Sequence, residues 1–230
     1  MLFSTRKEKI FILLGGFFIT NAILGEVIGG KLLTIGPFVM SMGIIPWPIV
    51  FITTDLINEY FGRDGVKRLT WLTSGLIIYL FIMLFISMSV KAASFSPVSD
   101  EQFHAVFGQS MWIIVGSIAA FVVSQFIDVS IFWLLREKTG KKMIWLRATG
   151  STLFSQLIDT FIVAGIGFYL PGKISFENYL STASTGYTFK VLVAISMTPL
   201  IYLGHSLIDR YLGKDADKTI EKAATESIHH

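Results

Sequence analysis

The chain has 230 residues, 53% of them hydrophobic and 15% charged, with a net charge of +3 and no cysteine. Its apolar share exceeds that of an ordinary soluble domain, and the absence of cysteine excludes a disulfide framework, a thiolate metal site and a cysteine nucleophile. The basic balance does not point to nucleic acid, because Lys and Arg in a membrane protein concentrate in cytoplasmic loops.

Mean hydropathy is +0.65, and the apolar residues fall in six blocks, at about 10–32, 44–62, 67–90, 110–135, 148–170 and 188–209. Each meets or nearly meets the ~20 residues needed to span hydrocarbon. The pattern predicts an all-α integral membrane protein with six transmembrane helices forming one domain over 1–212. A polar cytoplasmic tail, 213–230, is expected to be disordered.

The first block follows "STRKEK" and is long enough to be a permanent span, not a cleaved signal. Its "NAILGEVIGGK" puts Asn21 in mid-helix and Glu26 nearer the outer end, in reach of headgroups, Lys31 or a cavity mouth. Gly25, Gly29 and Gly30 make a small face suited to close helix packing, which also permits a homodimer. The second block opens on "PWP", a site for a kink. It closes on "ITTDLINEYFGR", where Thr54, Asp55 and Asn58 share a face. Asp55 lies roughly 12 Å deep, measured from Arg63. Glu59, one turn from Arg63, is expected to pair or snorkel at the inner boundary.

The third block leads into "KAASFSPVSDEQFHAVFGQ" (91–109), which reads as a short surface helix, a lid or an ordered connector. The fourth and fifth blocks repeat one polar string. Ser124, Gln125 and Asp128 stand at i, i+1 and i+4 in "SQFID", and Ser155, Gln156 and Asp159 do the same in "SQLID". Each set shares a helix face. Asp128 is roughly 12 Å from Arg136 and Asp159 roughly 18 Å from Arg147 along their helices, so both reach similar depths on antiparallel neighbours. An inverted pair facing a midplane cavity is a transporter design.

In the sixth block Pro199 is expected to kink the helix and free carbonyls. Lys190 is expected to snorkel outward. His205 reads as a structural histidine, with a proton relay as the alternative. His229 and His230 look like the start of a purification tag and receive no metal role. No cofactor is expected.

With the N-terminus inside and six crossings, fifteen of the nineteen Lys and Arg fall on the inner side, which places both termini in the cytoplasm. Trp47 and Trp112 then lie near the outer boundary, and Trp71, Trp133 and Trp145 near the inner one.

Acids inside a membrane are functional by default. A purely structural polar network is the alternative, but hydrogen bonds between transmembrane helices are worth no more than ~1–2 kcal/mol, a small return for burying several carboxylates at one depth. A wet cavity explains them better. The candidate binding residues are Asn21, Asp55, Asn58, Gln125, Asp128, Ser155, Gln156 and Asp159.

Beyond these spacings, "FITTDLINEYFGR", "GSIAAFVVSQFIDVSIF", "WLRATGSTLFSQLIDTFI" and "FKVLVAISMTPLIYLG" resemble the queuosine-precursor transporter family, also called the vitamin uptake transporter family. The resemblance covers about residues 10–212, and the string from Arg147 to Asp159 is its most specific part. It implies import of 7-deazaguanine bases, such as preQ0, preQ1 or queuine, across the cytoplasmic membrane for tRNA modification. Such a base presents adjacent N–H donors and a carbonyl acceptor. A carboxylate can accept the donors, and a glutamine amide can serve both kinds of group.

No GxxxxGK[ST] phosphate loop is present, so the chain does not itself hydrolyse ATP; a substrate-binding subunit of an ATP-driven vitamin importer is the close variant. An intramembrane aspartyl protease would also place two Asp on adjacent helices, but Asp128 in "FIDVS" and Asp159 in "LIDTF" lack the glycine-rich surroundings such enzymes show. A receptor or purely structural membrane protein is the third alternative.

Overall fold

The computed structural model describes residues 5–29, 31–36, 38–108, 111–140 and 143–228. Gly30, Lys141, Lys142, His229 and His230, which enter the readings above, lie outside them. Long apolar runs become helices because lipid offers backbone groups no partners but one another.

Helix α1 (Arg6–Ile28) starts at a capping box between Thr5 and Glu8. A small antiparallel hairpin follows, β1 (Leu32–Ile35) and β2 (Phe38–Ser41). It turns at Gly36, whose φ of +56° suits glycine. This small hairpin sits in a fold that is otherwise built of helices, as the apolar pattern predicts.

Helix α2 (Trp47–Ser89) has 43 residues. Drawn straight it would measure about 65 Å, twice the hydrocarbon thickness of roughly 30 Å. It is not straight. Gly62 has φ +74° and ψ −176°, a conformation that belongs essentially to glycine. Helix α1 serves as a ruler. Gly25 of α1 packs on Trp47, and the Phe11 ring meets Phe61 at 4.9 Å. Gly65 then faces the same Phe11, and Leu69 packs on Gly15. The first limb of α2 therefore runs antiparallel to α1, and the second turns back alongside it. The second and third apolar blocks are the two limbs of one bent element.

Helix α3 (Asp100–Phe107) is short, capped by Ser99 and Gln102, and leans on the end of α2 through His104, whose Nε2 is 3.2 Å from Met88 O. Helices α4 (Met111–Thr139) and α5 (Ile144–Ala164) pack against each other more extensively than any other pair of elements among the described residues. Gly116 of α4 approaches Gly167 in the π-helical turn that extends α5 (Gly165–Tyr169), and a β-carbon there would sit 3.2 Å from the Gly167 nitrogen. Helix α6 (Phe176–Leu212) contains Pro199.

The C-terminal stretch expected to fray is helix α7 (Ala216–Ile228). Ala216, Thr219, Ala223 and Ser227 form a buried stripe of small residues that docks beneath the Gly62 bend. There Arg63 N–H donates to Ser227 Oγ at 3.0 Å. The break at Gly62 leaves that amide without a helical partner, so Ser227 caps the second limb of α2 from another helix.

Among the described residues, five helical segments can cross a membrane by length and hydropathy, with the two limbs of α2 counted together. The guanidinium of Arg6 donates to Tyr211 O at 3.1 Å, so the start of α1 and the end of α6 lie at the same end of the bundle. The apolar centre is built on Phe18, Phe121, Phe132 and Trp133.

Candidate functional site

The first limb of α2 is polar on its buried face. Thr53 and Thr54 satisfy their hydroxyls on carbonyls of their own helix, at Ile49 and Val50. Asp55 and Asn58 have no such outlet. They are 2% and 0% exposed, and none of their four side-chain polar atoms has a hydrogen-bond partner. On α4, Gln125 Oε1 and Asp128 Oδ2 are also buried and unpartnered, while Asp128 Oδ1 accepts from Ser155 Oγ of α5 at 3.1 Å. Asp55 and Asp128 lie within electrostatic reach of each other. Unpaired buried polar groups are costly, and here they gather on two helices, α2 and α4, with α5 supplying Ser155 to one of them. A narrow crevice, lined in part by Phe51 and Asp55 of α2, Thr152 of α5, and Met197 and Ile201 of α6, opens beside them. It has room for about one water molecule.

One turn further along α2, Glu59 shows the opposite condition. Arg147 of α5 clasps it with two bonds, Nη2 to Oε1 at 2.8 Å and Nε to Oε2 at 3.1 Å, and Arg136 of α4 reaches Oε2 at 2.5 Å. The planar guanidinium matches the carboxylate fork. Arg147 also donates to Gly140 O at 3.0 Å and lies over the Phe132 ring, and Arg136 lies over Trp133. Glu59 is thus not a boundary residue held by Arg63. It is the centre of a buried ion cluster that ties α2, α4 and α5 together.

Asp159 is paired. Lys190 of α6, expected to snorkel, instead turns inward and donates to Asp159 Oδ2 at 2.6 Å; the two side chains are 21% and 13% exposed. The Asp159 carboxylate offers Lys190 a better partner than distant headgroups. Glu26 is buried and accepts from Ser117 Oγ at 2.6 Å, within electrostatic reach of Asp159. Asn21 donates to Phe17 O of its own helix at 2.8 Å. Gln156 is buried on α5.

Of the eight candidates, the fold gathers Asp55, Asp128 and Ser155. It leaves Asn58 and Gln125 buried and unpartnered on the same helices, gives Asn21 a local bond, and engages Asp159 with Lys190. Sequence reasoning missed Arg136, Arg147 and Ser117 as partners, and Thr73, whose buried hydroxyl is unpartnered. Arg147 stands close to the Lys141–Lys142 pair and reads as one more loop charge; nothing local marks it as buried. Gly25 and Gly29 serve packing within the chain, against Trp47 and Ser41.

Long apolar helices enclosing unpartnered acids and amides define a multi-pass inner-membrane protein of transporter type. The chain belongs to the vitamin uptake transporter family: the family described as "Putative vitamin uptake transporter" matches residues 41–204. Similar proteins include the "Probable queuosine precursor transporter" of Bacillus subtilis (strain 168), 31% identical over 173 residues, covering 73% of this chain and 72% of that one. The "Queuosine precursor transporter" of Escherichia coli (strain K12) is 28% identical over 186 residues, 79% of each chain. The "Probable queuosine precursor transporter" of Haemophilus influenzae is 26% identical over 162 residues, 69% of this chain and 65% of its own. No solved structure matches. The family is one of transporters and not of enzymes, which sets the protease alternative aside.

Proposed function

We propose that the protein is a six-span secondary transporter, with both termini in the cytoplasm, that imports queuosine precursors: 7-deazaguanine bases such as preQ0, preQ1 or queuine. The names of its relatives support the substrate class. The reversal at Gly62 and the contact between Arg6 and Tyr211 support an even number of crossings, and the basic excess at the end holding both termini supports the orientation.

The observation that carries the site is the set of buried polar atoms without partners on Asp55, Asn58, Gln125 and Asp128. A deazaguanine edge offers the N–H donors a carboxylate lacks here and the acceptor an amide lacks. Ser155 and Gln156 add a hydroxyl and a second amide; Asp159 joins only by exchanging Lys190, and Asn21 by giving up its bond to Phe17. The crevice takes a water and not a bicyclic ring, so entry requires α6 to part from α2 and α5, as alternating access demands.

The test is uptake of labelled preQ0, preQ1 and queuine by the purified chain in proteoliposomes without ATP. Uptake is expected, with Asp55→Asn and Asp128→Asn each reducing it at least tenfold while the thermal transition stays in place. Normal uptake by either folded variant sinks the site, and uptake that appears only with an ATPase module added favours the importer-subunit reading.

A further inference from the structure

A second polar line leads away from the crevice. Tyr60 is fully buried, His205 is buried and Asp209 is exposed. Tyr60 Oη donates to Asp209 Oδ1 at 2.6 Å and lies 3.1 Å from His205 Nδ1. A phenol has one proton. With that proton committed to the short Asp209 bond, the His205 contact needs hydrogen on Nδ1 and leaves Nε2 as an acceptor. The competing bond, from Tyr60 to His205 O, is longer at 3.3 Å.

The charged and titratable groups facing His205 are Glu59 and Tyr60 of α2, Arg136 of α4, Arg147 of α5, and Asp209 of its own helix. Glu59 is held by two guanidinium groups and is a poor resting place for a proton. Asp55, one turn away on α2, has no partner. The crevice that Asp55 lines reaches Ile201, which lies one turn of α6 from His205. The line therefore starts at an unpartnered acid on a water-sized crevice that ends one turn of α6 short of His205, and it finishes on an exposed acid two residues from Tyr211, where the start of α1 meets the end of α6.

We propose that His205, Tyr60 and Asp209 form a proton exit path from Asp55 to the end of the bundle that carries the termini, and that import is coupled to a proton. Protonated Asp55 gives its proton through a crevice water to His205 Nε2. His205 passes its Nδ1 proton to Tyr60 Oη as Tyr60 passes its own to Asp209, which releases it to water. One proton enters and one leaves; the imidazole and phenol then reorient for the next turnover. The coupling rests on the transport reading and adds the driving force.

The experiment uses the full chain in proteoliposomes with neutral preQ0 as the probe. Exchange of labelled for unlabelled preQ0 at equal pH reports transport alone. Accumulation with the outside one pH unit more acidic reports coupling, and one proton per base permits a ceiling of about tenfold. The wild type is expected to approach that ceiling. Tyr60→Phe and His205→Gln are expected to keep exchange within about twofold and to lose accumulation. Asp209→Asn, at the exposed end, makes the same test without disturbing the core. Wild-type exchange without proton-driven accumulation overturns the coupling, and full accumulation by Tyr60→Phe or Asp209→Asn overturns the path. Absence of wild-type exchange overturns the transport reading itself.

Discussion

Asp55 and Glu59 stand one turn apart on the same limb of α2, and both are buried. Glu59 is saturated by Arg136 and Arg147 from two other helices; neither oxygen of Asp55 has a hydrogen-bond partner. A paired buried charge holds helices in register, because removing one partner strands the other. An unpaired one stabilises nothing and is kept only if something else comes to meet it. Burial alone therefore does not identify a binding acid. The state of its partners does.

Four measurements would break or sharpen this contrast, taken in order of their effect on stability. Glu59→Gln leaves two arginines facing each other without their carboxylate, and a loss of about 3–5 kcal/mol is expected, seen as a large drop in the thermal transition in detergent. An unchanged transition would remove the distinction between the two acids. Gly62→Ala forces a β-carbon to within 2.6 Å of Ser227 Oγ at a φ of +74°, for about 1–3 kcal/mol. Adding Ser227→Ala should relieve the clash but not the strain, so full recovery by the double variant would contradict the backbone argument.

Lys190→Met or Asp159→Asn alone should cost about 1–2 kcal/mol, less than a fully buried pair because both side chains are partly exposed. The double variant should recover most of the loss, and additive losses would show that the pair contributes no coupling. Asp55→Asn should have the smallest effect on stability, within about 0.5 kcal/mol or slightly stabilising, while uptake collapses. A large destabilisation there would make Asp55 structural.

Much of this was legible from composition and spacing. The apolar blocks, the shared faces of Ser, Gln and Asp in "SQFID" and "SQLID", and the shared face of Thr54, Asp55 and Asn58 in "ITTDLINEYFGR" all follow from local periodicity. The placement of Arg147 was not legible, because its charge sits beside two lysines and reads as loop. Lys190 was misread for a related reason: snorkelling is the default when no partner is known, and Asp159 becomes its partner only when α5 and α6 pack. The polar tail was underestimated because the small-residue stripe of α7 has no apolar signal until the Gly62 bend lies above it.

The sequence by itself determined that the chain crosses lipid as helices and carries acids and amides where lipid penalises them, since hydropathy and helical period act over a few turns. Only the tertiary structure decided which of those acids are neutralised and which stand open. That outcome depends on groups brought within about 3 Å across different helices, and no local pattern encodes such a distance.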